Sequence, residues 1–184
     1  PQELAAARLR VVLDRPYLAT ALWRVIPVES KGLGTMAVDK HWRLYYDPEA
    51  IKRWGLRGTG TVLMHEVWHL LRAHNERALV AGHTNRILVN TTMDEELNDD
   101  IEGEGFELPD DPPTPKKFGH TEGRNWEEYY QIFCKCANKG AAGSKKGKGA
   151  GTGEGDGSEQ GDGGPRTVTM DDLKKGKLPK GFCP

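Results

Sequence analysis

The sequence predicts a small, mostly helical α+β domain in which a short antiparallel β-hairpin packs on one central helix. Two observations predict it. Between Val62 and Leu71 the apolar residues fall on nearly every side of a helix, as they do in a helix buried all round. Just upstream, TMAVDK (35–40) and WRLYYD (42–47) alternate apolar and polar residues with period two, the pattern of half-buried strands.

The elements follow in order. QELAAARLRVVLD (2–14) reads as an amphipathic helix carrying Leu4, Leu9, Val12 and Leu13 near helical spacing. Pro16 stops it and opens a second apolar helix over 17–26. Gly32 to Gly34 is a turn signal, and the short link at Lys40 and His41 joins the two strands as a hairpin. Asp47-Pro48 ends the hairpin, and residues 48–55 form a short helix with proline in its first turn. Residues 59–80 are expected to form one uninterrupted helix, 81–85 break it, and another helix covers 86–101. The Pro-, Gly- and Asp-rich residues 102–125 read as a loop. A last amphipathic helix spans 125–137, with Asn125 as N-cap and Trp126, Tyr129, Tyr130 and Phe133 docking it.

From 139 to 165 the composition collapses to Gly, Lys, Ser, Glu and Asp, which cannot offset chain entropy by apolar burial. The expected organisation is therefore a folded domain over 1–138, a disordered Gly-rich linker over 139–165 and a tail over 166–184. GEGDGSEQGDGG lacks the regular aliphatic position of calcium-binding glycine repeats.

Composition excludes several function classes. The formal net charge of −1 gives no electrostatic case for nucleic acid, and the four lysines of the linker are followed at once by acids. No apolar run is long enough to span a membrane. The N-terminus lacks the basic start and unbroken apolar stretch of a secretory signal. Three cysteines with a C-x-C pair make a poor disulfide framework, so a cytoplasmic protein with reduced thiols is expected. A zinc site at Cys134 and Cys136 would have only Cys183 to join it, and the usual knuckle spacing is C-x2-C.

The chemistry is concentrated in His65-Glu66-Val67-Trp68-His69, an HExxH motif. Histidines four residues apart project from one helix face, as two imidazoles must to reach one zinc ion. Glu66 stands about 100° further round the helix, where it can take a proton from a metal-activated water and pass it to a leaving amine. Left without a metal, two histidines and a glutamate in so apolar a helix would be costly to bury.

A catalytic zinc needs a third protein ligand and an open position. On the 86–101 helix, Ile87, Asn90, Leu97, Asn98 and Ile101 all fall within about 60° of Asp94, which makes Asp94 the inward-facing carboxylate. Glu96, Asp99 and Asp100 point away in this projection. Glu95 lies at the edge and is the alternative third ligand. Asn98, one turn on, is placed to hydrogen-bond Asp94 or a ligating histidine in support of the metal site. His74 lies on the far side of an uninterrupted helix and is read as structural; His83 is read as an exposed loop residue. Arg72 and the Tyr45–Tyr46 pair are the candidates for stabilising an oxyanion.

TMAVD, LYYDP, LMHEVWHLLRAH, MDEELNDDI and NWEEYYQIF together resemble the putative metallopeptidase domain family of bacteria and phages. That family is often joined to a von Willebrand factor A-like domain. The resemblance covers about residues 1–138. It implies a zincin-like α+β fold, with His65, His69 and Asp94 as ligands of Zn2+ and Glu66 as base. The activity it implies is hydrolysis of a protein or peptide substrate, with a von Willebrand factor A-like partner domain or chain. The alternative is a non-catalytic binding module stabilised by zinc.

Overall fold

The computed structural model describes the backbone of residues 2–143 and the side chains as far as residue 135. It is mostly helical, with one small mixed sheet. The chain divides into a first compact unit that ends at Tyr129 and a second that begins at Tyr130. All the groups of the candidate site lie in the first. The expected linker and tail fall largely outside the described residues.

Helix α1 (Gln2–Asp14) buries Leu4, Ala7, Arg8 and Val11. Leu9 and Leu13, expected inward, are exposed. The reason is the partner surface: α1 packs on α3, where Gly60 would bring an added Cβ within 3.2 Å of Val11 Cγ2. Close approach of the two helices selects the stripe with small Ala7. Arg8 is accommodated by donating from Nη2 to the carbonyl of Val25 at 2.9 Å.

The second helix is shorter than expected. A 3-10 turn (Pro16–Leu18) leads into α2 (Ala19–Arg24), and the chain then enters an unexpected strand, β1 (Ile26–Glu29). Strands β2 (Met36–Val38) and β3 (Arg43–Tyr46) form the expected antiparallel pair. β1 pairs with β3 in parallel, Ile26 opposite Arg43, so the sheet is mixed, in the order β1-β3-β2. Pro27 is tolerated because β1 is an edge strand. β3 is central, which leaves β2 as the edge lying against α3.

Helix α3 (Pro48–Leu71) is capped by Asp47, whose side chain accepts from the backbone N–H of Glu49. It is broken at Gly55 (φ 63°, ψ −171°), so the expected short helix and the HExxH helix are two segments joined at that residue. The expected run to residue 80 is also broken. Ala73 adopts the left-handed conformation (φ 51°), and a separate α4 (His74–Ala81) begins there. No glycine marks this break. α5 (Arg86–Gly103) starts on the Asn85 side chain, which accepts from Leu88 N.

The expected loop after α5 contains one turn of helix, α6 (Pro115–Phe118). α7 (Trp126–Gly143) extends beyond its expected end into the stretch read as linker. Trp126 and Tyr129 are fully buried, and Tyr130 and Phe133, past the unit boundary, are buried as well. No described helix is long and apolar enough to cross a membrane. Cys134 is disulfide-bonded, contrary to the expectation of reduced thiols. The odd cysteine count argued against a framework of several bridges but not against a single one.

Candidate metal centre

α3 and α5 bring three side chains to one point. Nε2 of His65 and Nε2 of His69 lie 2.9 Å apart. Asp94 Oδ1 lies 3.1 Å from His69 Nε2 and 3.5 Å from His65 Nε2. Ligand atoms about 2.0–2.1 Å from a tetrahedral ion would stand about 3.3–3.4 Å from one another. The observed separations bracket that value, so the donor set fits a zinc-sized ion. Among the described residues this is the group of histidines, cysteines and carboxylates able to hold a metal.

The three residues open on a cavity of about 410 Å³, walled by β2 on one side and by Leu108 to Pro113 on another. Glu66 lies in the same cavity wall and is buried. Its carboxylate accepts the backbone N–H of Val38 in β2. Burial, the largest influence, pushes the Glu66 carboxyl up to about 7; His65 and the Val38 N–H oppose the rise and Asp94 adds to it.

The electrostatics of the three ligand candidates follow from the same crowding. Burial works most strongly against a charged His65, but hydrogen bonding and attraction from Asp94, with smaller help from Glu66 and Asn98, outweigh it and raise its pKa. Burial also dominates at His69 and, with repulsion from His65 and His74, pushes it down to about 4 in spite of Asp94. At Asp94 burial acts upward, yet the two histidines together hold the carboxyl well below the usual carboxylate range.

Asn98 does not bind Asp94. Its Nδ2 donates to the carbonyl of Pro113 at 2.7 Å, which fastens the loop over the cavity to α5. Asn98 Oδ1 and His65 Nδ1 are both buried without a hydrogen-bond partner. The Asn98 side chain also faces His65, the second contact expected of it, and favours the charged imidazole.

Asp94, projected as the inward-facing carboxylate of α5, stands beside His65 and His69, but it is not the one acid of this helix turned inward. Glu95 and Glu96 are both buried, more deeply than Asp94. Glu95 is not in the metal group; it pairs with His120 Nδ1 at 2.6 Å, on a ring stacked beside Tyr129. Glu96 accepts from Arg72 Nη1 at 2.6 Å and from the backbone N–H of Trp126 at 2.7 Å. α5 is enclosed on most sides over 91–98, so a projection that assumes one inward face misplaces these two acids.

The break at Ala73 turns His74 back toward the motif, so that its Nδ1 lies 2.9 Å from Nδ1 of His69. A continuous helix would have hidden that contact. His83 stands edge-on to Trp126, with ring centres 6.0 Å apart. Neither oxyanion candidate lines the cavity. Arg72 is engaged by Glu96 and Asp100, and Tyr45 donates to Asp39 at 3.1 Å.

A family model described as "Putative metallopeptidase domain" matches residues 1–182, a longer span than the sequence motifs alone covered. No curated protein and no solved structure matches the chain.

Proposed function

The chain belongs to the family described as "Putative metallopeptidase domain", and on that premise we propose that it is a zinc-dependent peptidase of the HExxH type with a zincin-like arrangement of edge strand and motif helix. His65, His69 and Asp94 would hold the ion. Bound there, zinc would supply Lewis acidity and bring the pKa of a water near 7.

The chain's own groups account for the rest of the reaction. Glu66 takes a proton from the attacking water at its carboxylate and returns it to the leaving amine. In the metal-free site burial pushes its carboxyl up to about 7, and a bound cation would favour the carboxylate, the form that accepts the water's proton. The Val38 N–H holds the carboxylate in place.

β2 is suited to orient an extended substrate. Asp47 N donates to Thr35 O and Asp39 N to Arg43 O, so the backbone groups of Thr35 and Asp39 face β3. By the alternation of an antiparallel ladder, those of Met36 and Val38 face the cavity side, where the Val38 N–H is taken by Glu66 and the Met36 groups and the Val38 carbonyl would be left for a substrate. A peptide in extended form can pair with that edge. β3, paired on both sides within the sheet, has no edge to offer.

The observation that carries the reading is the convergence of three ligand atoms from two helices beside a buried glutamate. The test is metal analysis of the purified protein together with hydrolysis of an unfolded protein such as casein. The expected outcome is one zinc per chain, hydrolysis that a chelator stops and zinc restores, and a Glu66→Gln variant that keeps metal and fold without turnover. An ion closed in by four protein ligands, with no hydrolysis by either form, would favour the zinc-stabilised binding module.

A further inference from the structure

His74 is the one histidine of the neighbourhood that neither the motif nor the ligand set uses, and it is almost completely buried. We propose that His74 positions His69, accepting the Nδ1–H of that imidazole at its own Nδ1 and so leaving Nε2 of His69 as the free donor facing Asp94 and His65. The proposal rests on the metal-site reading above and goes beyond it.

Counting donors gives the argument. Two ring nitrogens 2.9 Å apart need one proton between them. A neutral imidazole that offers Nε2 to a metal keeps its proton on Nδ1. The shared proton therefore belongs to His69, and His74 must accept at Nδ1 and carry its own proton on Nε2. The surroundings suit that tautomer: Nε2 of His74 is buried without a hydrogen-bond partner, and Glu96 Oε1, 3.7 Å away, is a carboxylate oxygen near it at longer than hydrogen-bond distance. Glu96 is in turn fixed by Arg72 and by the backbone N–H of Trp126. The two rings are nearly perpendicular, at 79°, as a hydrogen bond from the edge of one to the edge of the other allows. The result is a chain from the N-terminus of α7 through α5 and α4 to one ligand on α3.

Ligating histidines commonly pass their second proton to a carboxylate or carbonyl, and loss of that partner costs about 10–100-fold in metal affinity. Here an imidazole stands between the ligand and the carboxylate. It is placed by the left-handed Ala73, which starts α4 one residue before it.

The experiment uses the full chain with zinc, read by competition with a chromophoric chelator and by 15N NMR of labelled histidines. In the wild type, His69 should carry its proton on Nδ1 and show a 15N–15N coupling across the hydrogen bond to His74 Nδ1. His74→Leu should weaken zinc binding by about 10–100-fold. His74→Asn, whose Oδ1 keeps an acceptor near the place of Nδ1, should recover most of that loss. Circular dichroism of each variant separates misfolding from weakened binding. Equal zinc affinity in wild type and folded His74→Leu, or absence of the coupling, would overturn the positioning role and leave the peptidase reading intact. A wild-type chain that binds no zinc would remove the metal reading and this proposal with it.

Discussion

Asp94 Oδ1 lies 3.1 Å from Nε2 of His69, although the two side chains come from different helices, α5 and α3. A carboxylate held this close to two imidazoles in a buried place is the feature that turns a pair of motif histidines into a three-point site. Asp94→Ala should therefore weaken zinc binding by more than the ~10–100-fold that supporting contacts contribute. Isothermal titration of the purified variant with zinc measures it. Wild-type affinity in Asp94→Ala would remove the residue from the ligand set.

Glu66 provides a pH test in the metal-free protein. Its carboxyl is raised by burial to about 7 from an ordinary 4.5. A raised folded-state pKa stabilises the fold below the ordinary carboxylate value, and that contribution is lost as pH climbs through about 7. Glu66→Gln mimics the neutral form at every pH. The variant should gain on wild type as pH rises from about 4.5 to 8, by on the order of 3 kcal/mol. Urea unfolding at a series of pH values gives the difference directly, and a gap that stays constant across the range would contradict the burial argument. Zinc should narrow it, because a nearby cation favours the carboxylate.

Much of this site was legible in the sequence because helical spacing is local. HExxH supplies two candidate ligands and a candidate base within five residues, and stepping 100° per residue along 86–101 singled out Asp94 as the third candidate. What escaped was set by tertiary contacts. The parallel pairing of Ile26 with Arg43 joins residues too far apart for any hairpin rule, and a proline such as Pro27 is confined to edge strands or bulges. The break before His74 uses alanine in a conformation for which glycine is the usual signal. Glu96 read as outward and Glu95 as lying at the edge because the projection gave α5 a single buried face, whereas His120 and Trp126 reach it from other sides.

Gly55 separates the helical turn after Asp47 from the helix that carries the motif. Its φ of 63° with ψ of −171° is a combination open essentially to glycine alone. An added Cβ would meet nothing within 4 Å, so any cost of Gly55→Ala is one of backbone conformation and not of space. The expected destabilisation is about 1–3 kcal/mol, seen as a lower urea midpoint with an unchanged slope. An unchanged midpoint would mean that the two segments of α3 join more freely than this geometry implies.

Glu96 should govern much of the acid sensitivity of the metal-free fold. Burial acts to raise its pKa, but His74, the Trp126 N–H and Arg72 together bring it down to about 2. A depressed folded-state pKa contributes stability that is complete above the ordinary value of 4.5 and disappears as pH falls toward about 2. Glu96→Gln keeps an acceptor for Trp126 N–H and nearly the same volume. Arg72 keeps Asp100 as partner and Arg77 keeps Glu127, so neither guanidinium is stranded. The loss at pH 7 should then reflect the Glu96 charge itself, on the order of 3 kcal/mol. It should shrink steadily below pH 4.5, because there the unfolded wild-type chain takes up a proton at this carboxylate while the folded protein, with its carboxyl held near 2, does not. Thermal unfolding of both proteins between pH 7 and pH 3 tests this. A deficit that persists undiminished at pH 3 would point to packing, not charge, as what Glu96 contributes.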